Sequence, residues 1–340
     1  MARRALGISL ASFPGASTAL TELAAATGLV RPAVLQRADP AGVETRFVAE
    51  LIAAERSPGL VIFAGWSPAY DPLLRVATRR GLRVAVYWTS TAGQMEIGRE
   101  LDRFSQMLEE PRVHHRWFAS RELAESFGAS VGGCAALPIV MAVDGRRRSP
   151  TRTVTRRRKD PVEIGCFCSP LEYHRKNVLT ALLAVARIGR EARLHVNGLT
   201  EHPFYEGVMS RLGLRVVDHG WMERGDYQDT IRTLDLGLQV SFAESFNYVT
   251  ADHLVAGVPI VVSPMVPAVA GLPGSIARPF IARDPDSPRS IARTIASLLA
   301  RPARTGSAVA AARRHLLAEN RLRIAGARRL LARTLQEGSR

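Results

Sequence analysis

Residues 241–252 read SFAESFNYVTAD and residues 257–262 read GVPIVV, and these two stretches decide the fold. The apolar run Leu236–Val240 before them predicts a buried strand. Tyr248–Ala256 predicts a helix that stops at the following glycine, and Pro259–Val262 predicts the next strand. A strand, a loop, a helix and a second strand in this order are typical of a parallel β-sheet with helical crossovers.

The same alternation extends in both directions along the chain. It predicts strands at 60–64, 82–88, 113–118, 136–141, 162–168, 193–196, 214–217 and 278–282. It predicts helices at 44–56, 69–80, 95–109, 120–127, 177–188, 204–212, 226–234, 287–299 and from about 304 onward. An earlier unit covers residues 5–37. The predicted fold class is therefore α/β, with parallel sheets.

The charge distribution suggests four segments. Residues 1–143 and 161–300 are nearly neutral and have the length of ordinary domains, whereas residues 144–160 have a net charge of +6 and residues 301–340 one of +8. Residues 144–160 lack hydrophobic periodicity and are predicted to be a linker. We therefore expect an N-terminal domain, a basic linker, a C-terminal domain and an Arg-rich final helix that packs back near the hinge.

Composition excludes several classes of protein. Hydrophobic residues make up 46% of the chain, which is ample for two cores, but no run of 18 apolar residues predicts a membrane span. The N-terminus is a poor signal peptide, because its apolar run breaks at Ser12 and Pro14. The three cysteines lack zinc-site spacing, and Cys166 and Cys168 are expected to pack in the core. We therefore predict a cytoplasmic protein.

Glu244 and Asp252 lie on either side of the predicted helix start. Loops that follow parallel strands lie at the edge of the sheet where ligands bind. A helix N-terminus offers free N–H groups and a positive dipole to a diphosphate. Carboxylates are suited to accept hydrogen bonds from sugar hydroxyls, so we expect Glu244 to face a sugar and Asp252 a ribose. The alternative is that both are ordinary solvated charges.

This stretch resembles the family-4-type (group 1) retaining glycosyltransferases, whose motif has two acidic residues separated by seven and then Gly-Val-Pro-Val-Val. Asn247 replaces the usual Gly of that motif, and Asp252 replaces the usual second Glu. The resemblance implies the GT-B fold, in which two Rossmann-like domains face each other across a cleft. It also implies that Phe246, Asn247 and Tyr248 bind the donor with Glu244 and Asp252.

The resemblance also assigns basic residues to the diphosphate. Lys176 matches the family lysine, whereas Leu171 occupies the place of the family arginine and Arg175 is predicted to replace it. Two cations can neutralise the leaving group without a metal. The predicted catalytic set is therefore Glu244, Lys176 and Arg175, with no metal and no cofactor besides the nucleotide-sugar substrate. An ordinary helix surface is the alternative for the two cations.

Further residues follow from the order of the family's segments. Asn197 and Gly198 resemble the loop near the diphosphate and base, and Trp221 and Met222 resemble the segment that contacts the nucleobase.

Residues for the acceptor are harder to assign. Gly15 matches part of the family's glycine-rich acceptor loop, and His114 is a candidate residue near the sugar. Asp284-Pro-Asp286 is predicted to be a turn and helix N-cap rather than a metal site.

The two basic segments suggest a polyanionic partner. We predict that nucleic acid binds through the linker and the C-terminal helix, with a modified base in DNA as the leading acceptor. A membrane surface fits less well, because residues 1–143 have a net charge of only +2. Two alternatives stay open: glycosylation of a lipid or small metabolite at a membrane, and a GT-B-fold binding protein without activity.

Overall fold

The computed structural model describes residues 4–10, 14–35, 46–51, 59–98, 100–142, 161–168 and 172–337. The chain divides into two compact units. Unit 1 comprises Met1–Gly145 and Glu319–Arg340, and unit 2 comprises Arg146–Ala318. The predicted basic linker at 144–160 and the prediction for Leu171 lie outside the described residues.

Unit 1 is built on a six-stranded parallel sheet with the strand order β2-β1-β3-β4-β5-β6. Its strands are β1 Ala5–Leu10, β2 Val30–Leu35, β3 Leu60–Ala64, β4 Arg83–Trp88, β5 His115–Phe118 and β6 Cys134–Ala136. Its helices are α1 Pro14–Thr27, α2 at 46–51, α3 Asp71–Arg79, α4 Ala92–Ile97, α5 Leu101–Glu109 and α6 Arg121–Gly128. β1 and β3 are buried at every position, as expected for strands covered on both faces.

Unit 2 is built on a five-stranded parallel sheet with the order β11-β10-β7-β8-β9. Its strands are β7 Val162–Gly165, β8 Ala192–Val196, β9 Arg215–Asp218, β10 Leu236–Gln239 and β11 Ile260–Val262. Its helices are α7 Val178–Val185, α8 Pro203–Arg211, α9 Arg224–Thr233, α10 Tyr248–Ala256, α11 Pro267–Ala270, α12 Gly274–Ala277 and α13 Pro288–Ala300. α14, Pro302–Glu337, begins in unit 2 and ends in unit 1.

The end of α14 is fixed within unit 1 by one buried side chain. Asn320 accepts a hydrogen bond from the Met141 backbone N–H and donates one to the Met141 carbonyl, both at 2.9 Å. Leu331 and Leu335 farther along the helix are buried. The C-terminal residues of the chain therefore help to form the core of the N-terminal unit.

Three predicted elements were wrong in detail. The predicted strand at 136–141 overlaps β6, Cys134–Ala136, only at residue 136, and pairing does not continue beyond it because Pro138 has no N–H for the ladder. The predicted strand at 278–282 is a 3₁₀ turn at Arg278–Phe280 with one β-bridge, between Ile281 and Val262. Pro279 limits pairing there for the same reason. The predicted helix at 95–109 is α4 followed by α5.

The structure confirms two smaller predictions and corrects one. Cys166 and Cys168 are buried, and burial raises the pKa of the Cys166 thiol to about 12. Asp284 accepts a hydrogen bond from the Asp286 N–H in a turn, as predicted. The cap of α13, however, is Ser287, whose side chain accepts from the Ser290 N–H. Within the described ranges, no helix combines the length and the apolar character needed to cross a bilayer.

Candidate active site

The strand order of unit 2 reverses between β7 and β10, which lie side by side although two strands separate them in sequence. In open parallel sheets, a ligand crevice forms at such a switch point, outside the carboxyl ends of the strands. The segment after β7 carries Arg175 and Lys176, and the segment after β10 carries Glu244. Topology therefore brings these three side chains to one place.

Glu244 lies at the centre of a buried ion cluster. Lys176 Nζ is 2.6 Å from Glu244 Oε1, and Arg175 Nη1 is 3.2 Å from Glu244 Oε2. The side chains of Glu244, Arg175 and Lys176 are 4%, 9% and 11% exposed. Charge-assisted hydrogen bonds between buried partners hold such side chains in a fixed geometry.

The pKa values of Glu244 and Arg175 favour the ionised forms of these two side chains. Burial raises the pKa of Glu244, but the charges of Lys176 and Arg175 lower it by more, so that the net pKa lies below the usual range. Burial lowers the pKa of Arg175, but the carboxylates of Glu244 and Glu172 raise it by more, so that its net pKa lies above the usual range. The site therefore holds a carboxylate between two cations.

Local backbone geometry aims the two cations into the site. Asn177 has a left-handed backbone (φ 55°) and turns the chain into α7 directly after Lys176. Asn177 Nδ2 donates to the carbonyls of Val240 (3.3 Å) and Pro285 (2.7 Å). The Phe242 N–H donates to the Arg175 carbonyl at 2.9 Å, which ties the two loops together. Asparagine adopts this conformation at lower cost than most residues.

Arg175 is anchored on both sides. Its Nη1 donates to the Ala243 carbonyl at 2.6 Å, and its Nη2 pairs with the Glu172 carboxylate. That Arg175 replaces the family arginine stays a prediction. Its guanidinium lies against Glu244, and Arg175 directly precedes Lys176 in the sequence.

Asn247 caps the helix that follows the site. It has a left-handed backbone (φ 71°), and its side chain accepts from the Thr250 N–H at 2.8 Å. Asn247 Nδ2 lies 3.0 Å from Glu244 Oε1. At the other end of α10, Gly257 is the C-cap with φ 81°, which confirms the predicted helix stop.

Asp252 forms a salt bridge that the sequence did not predict. Both of its carboxylate oxygens bind Arg224, at 2.7 and 2.9 Å. The Asp252 side chain is 11% exposed and Arg224 is 44% exposed. A ribose hydroxyl at Asp252 would therefore share this carboxylate with a guanidinium.

The other predicted donor residues lie in neighbouring parts of unit 2. Asn197 Nδ2 and Oδ1 bind the backbone O and N of Cys168, at 3.0 and 2.9 Å. The Gly198 N–H donates to Asp218 Oδ1 at 2.6 Å. Asn197, which directly follows β8, thus joins the end of that strand to the segment after β7, and Gly198 is the next residue.

The aromatic and sulfur side chains differ in exposure. Phe246 is buried, with its ring centroid 5.3 Å from that of Tyr248. Met222 packs against the small core cluster around Phe167. Trp221 is 71% exposed, so its indole is available to a flat ligand such as a base.

The two predicted acceptor residues lie in unit 1 and differ in position. Gly15 is in the first turn of α1, after the carboxyl end of β1, where the unit 1 sheet has its own switch point between β1 and β3. His114 precedes β5, at the opposite, amino-terminal edge of the sheet. Its Nδ1 accepts from the Val84 N–H at 3.1 Å, and burial lowers its pKa. The candidate role of His114 at the sugar stays a prediction, and the ring lies at the edge of the sheet opposite to the one where ligands bind in open α/β folds.

Sequence reasoning missed three residues that hold the site together: Gln239, Arg224 and Glu172. Gln239 is a buried polar residue at the end of the apolar run of β10, five positions before Glu244, and that break in an apolar pattern is a usable signal. Arg224 and Glu172 give no comparable signal, because exposed charges at helix starts are common.

Among the described residues, no group of three or more His, Cys, Asp and Glu side chains is placed to hold a metal ion.

Two units, each with an open parallel sheet that has a switch point, are the architecture of the GT-B fold, and in unit 2 a carboxylate and two cations lie at that point. Residues 163–301 match the family described as "Glycosyl transferases group 1", so unit 2 contains a group 1 glycosyltransferase domain and the protein is a glycosyltransferase. No curated protein sequence is significantly similar to the chain. The predicted enzyme class and fold are confirmed.

Solved structures agree on the fold along nearly the whole chain. HepE of Anabaena, solved in complex with UDP and glucose, superposes with a TM-score of 0.70 at 14% identity, covering 99% of this chain and 100% of that one. Sucrose-phosphate synthase from Thermosynechococcus elongatus gives a TM-score of 0.63 at 14% identity, covering 98% of each chain. The galactosyltransferase WaaB, which acts on the lipopolysaccharide outer core, gives 0.54 at 12% identity, covering 94% of this chain and 98% of that one.

Proposed function

We propose that this protein transfers a sugar, with retention of anomeric configuration and without a metal, from a nucleoside diphosphate sugar to a hydroxyl acceptor. The observation that carries this proposal is the buried cluster of Glu244, Lys176 and Arg175 at the switch point of unit 2. A fixed carboxylate suits sugar hydroxyls, and two fixed cations beside it suit a departing diphosphate.

The proposed reaction needs no protein nucleophile. The bond between the anomeric carbon and the β-phosphate oxygen breaks, and the acceptor oxygen forms its bond to the same face of that carbon. The acceptor proton passes to the departing phosphate, so the products are a glycoside of unchanged configuration and a nucleoside diphosphate. Lys176 and Arg175 stabilise the negative charge that develops on the leaving group, which is the role that a metal plays elsewhere.

We further propose that the acceptor belongs to a polyanion, with a hydroxyl-bearing modified base in DNA as the leading case. The structural feature that supports a polyanionic acceptor is the solvent-exposed face of α14 within unit 1. Arg321, Arg328, Arg329 and Arg333 are exposed there and recur at a spacing that places them on one side of the helix. Arginine on an exposed helix face binds phosphate oxygens well.

One observation favours a different acceptor class. Leu322 is 74% exposed among these arginines, and an apolar side chain within a basic face is also suited to an anionic membrane surface. A lipid acceptor is therefore the second candidate.

The first experiment is a donor panel with the purified protein, in which released nucleoside diphosphate is measured. UDP-glucose is the first donor to test, because HepE was solved with UDP and glucose. Donors are paired with DNA containing hydroxymethylated bases, with unmodified DNA and with anionic vesicles. NMR of the product should show the donor's anomeric configuration, and an inverted product would overturn the proposed retention. Excess EDTA should leave the rate unchanged, and loss of activity in EDTA would overturn the proposed independence from a metal.

The second experiment tests the basic face. Replacing Arg321, Arg328, Arg329 and Arg333 with Gln should reduce the slope of log affinity for DNA against log salt by about 3 to 4 if each contacts one phosphate. A matched variant replaces four exposed arginines elsewhere in unit 1: Arg75, Arg79, Arg80 and Arg121. Equal effects of the two variants would contradict a specific face. Leu322→Ser should weaken vesicle binding only if the membrane candidate is correct.

A further inference from the structure

Two buried side-chain amides connect the core of unit 2 to Glu244. Gln239, at the end of β10, is 3% exposed, and Asn247, at the N-cap of α10, is 6% exposed. Asn247 Nδ2 lies 3.1 Å from Gln239 Oε1 and 3.0 Å from Glu244 Oε1. Gln239 Nε2 in turn lies 2.6 Å from the Phe167 carbonyl oxygen.

Backbone groups fix the orientation of both amides. The Phe167 carbonyl can only accept a hydrogen bond, so the NH₂ group of Gln239 must face it and Gln239 Oε1 must face Asn247. The Thr250 N–H can only donate, so Asn247 Oδ1 must face it, and the NH₂ group of Asn247 must face Gln239 and Glu244. Flipping either amide would leave like groups opposed in a buried place.

This chain of bonds ends on one oxygen of the carboxylate. Glu244 Oε1 accepts from Asn247 Nδ2 and from Lys176 Nζ, whereas Oε2 meets the Arg175 guanidinium at 3.2 Å. Because the Asn247 and Lys176 donors fix Oε1, rotation of the carboxylate is restricted and Oε2 keeps a constant position. A carboxylate held in this way can meet a ligand hydroxyl without reorganisation.

We infer that Gln239 and Asn247 are positioning residues of the transfer reaction, which hold the Glu244 carboxylate in the orientation that binds the donor sugar. This inference rests on the proposed function of Glu244. It also explains what asparagine does at position 247: glycine would supply the left-handed backbone but not the donor to Glu244.

Two substitutions at position 247 separate backbone from side chain. Asn247→Gly keeps the left-handed conformation and removes the hydrogen bond to Glu244, so kcat should fall about tenfold while KM for the donor changes less than about twofold. Asn247→Asp keeps the helix cap but places a second carboxylate oxygen against Glu244. Two such groups share a proton more readily, so the acidic limb of the pH profile of kcat should move to higher pH.

Gln239→Leu tests the far end of the chain of bonds. It removes both contacts of the Gln239 amide without adding charge, and kcat should fall by several-fold with UDP binding unchanged. Circular dichroism and thermal melting of each variant show whether unit 2 is folded, and UDP affinity by calorimetry shows whether the cation pair is intact. If one variant fails to fold, the other two still test the inference.

The failure of this inference and that of the proposed function are distinguishable. If Glu244→Gln abolishes transfer while Asn247→Gly, Asn247→Asp and Gln239→Leu keep the wild-type kcat and pH profile, the positioning role is wrong. If Glu244→Gln itself transfers at the wild-type rate, the proposed role of Glu244 is wrong. A general loss of stability would lower activity in Asn247→Asp without moving its pH profile, and that result would also overturn the inference.

Discussion

Replacing Glu244 by glutamine should destabilise unit 2 strongly, although the two side chains have nearly the same shape. The substitution removes the one negative charge that lies between Lys176 and Arg175, whose side chains are only 11% and 9% exposed. Breaking a buried ion pair from one side costs about 3–5 kcal/mol, because the remaining charge stays buried without compensation. For a unit of this size, the melting temperature should fall on the order of 10 °C.

UDP should reverse much of this loss. The diphosphate brings negative charge back to Lys176 and Arg175, whereas in the wild type it must share them with Glu244. The increase in melting temperature at saturating UDP should therefore be larger for Glu244→Gln than for the wild type, while transfer is lost. Differential scanning calorimetry with and without UDP measures both effects.

Glu172→Gln is the matched control. Glu172 also pairs with Arg175, but its side chain is 37% exposed, so its removal should cost less than about 1 kcal/mol. If Glu244→Gln and Glu172→Gln lose equal stability, or if UDP protects Glu244→Gln less than the wild type, the buried-cluster reasoning is refuted. Acidification gives a related test, because the pKa of Glu244 is lower in the folded protein than in the unfolded chain. The stabilisation of unit 2 by ionised Glu244 is therefore fully present above the pKa of the unfolded chain, and it is lost as the pH falls through the pKa of the folded protein.

Three further results are expected. Burial lowers the pKa of His253 from 6.5 to about 4, so the free energy of unfolding should fall by about 3 kcal/mol as the pH drops from above 6.5 to 4. His253→Leu should reduce this pH dependence when the free energy is measured by chemical denaturation at a series of pH values. An unchanged pH dependence would contradict the prediction. Gly237→Ala should destabilise unit 2 by about 1–3 kcal/mol, because the new Cβ would lie 2.6 Å from His253 Nε2. Its control Gly207→Ala, in open space on α8, should be neutral or slightly stabilising in the same urea titration, and equal losses would exclude steric overlap. Arg224→Leu should weaken UDP binding about fivefold with kcat unchanged, because Asp252 loses its bidentate partner; calorimetry showing wild-type affinity would count against a role of Asp252 in donor binding.

The sequence predicted the fold well where hydrophobic periodicity and end signals coincide. α10 was predicted at its observed bounds, because Asn247 and Gly257 mark its ends. β3 was also predicted at its observed bounds, since its apolar run is continuous. Strand ends near proline were less accurate, as at Pro138 and Pro279, because apolar character continues where the ladder cannot.

The candidate site divides in the same way. Glu244 and Lys176 could be predicted because their spacing follows a known motif next to predictable elements. The polar break at Gln239 is visible in the sequence, but the roles of Gln239 and Arg224 could not be predicted, because these depend on which strands and helices are neighbours in space rather than in sequence. The position of His114 on the sheet also depends on the strand bounds, because a histidine near a strand start and one near a strand end look alike until those bounds are known.

The path of α14 has a consequence for engineering. This helix has 36 residues and a length of about 54 Å, and it leaves unit 2 and joins unit 1 at residue 319. Unit 1 is therefore discontinuous in sequence, whereas unit 2 is one uninterrupted segment. A chimaera that replaces unit 2 with the corresponding unit of another glycosyltransferase needs two splice points, near residues 145 and 318. A chimaera with a single fusion point near residue 145 would leave unit 1 without Asn320 and the two buried leucines that follow it.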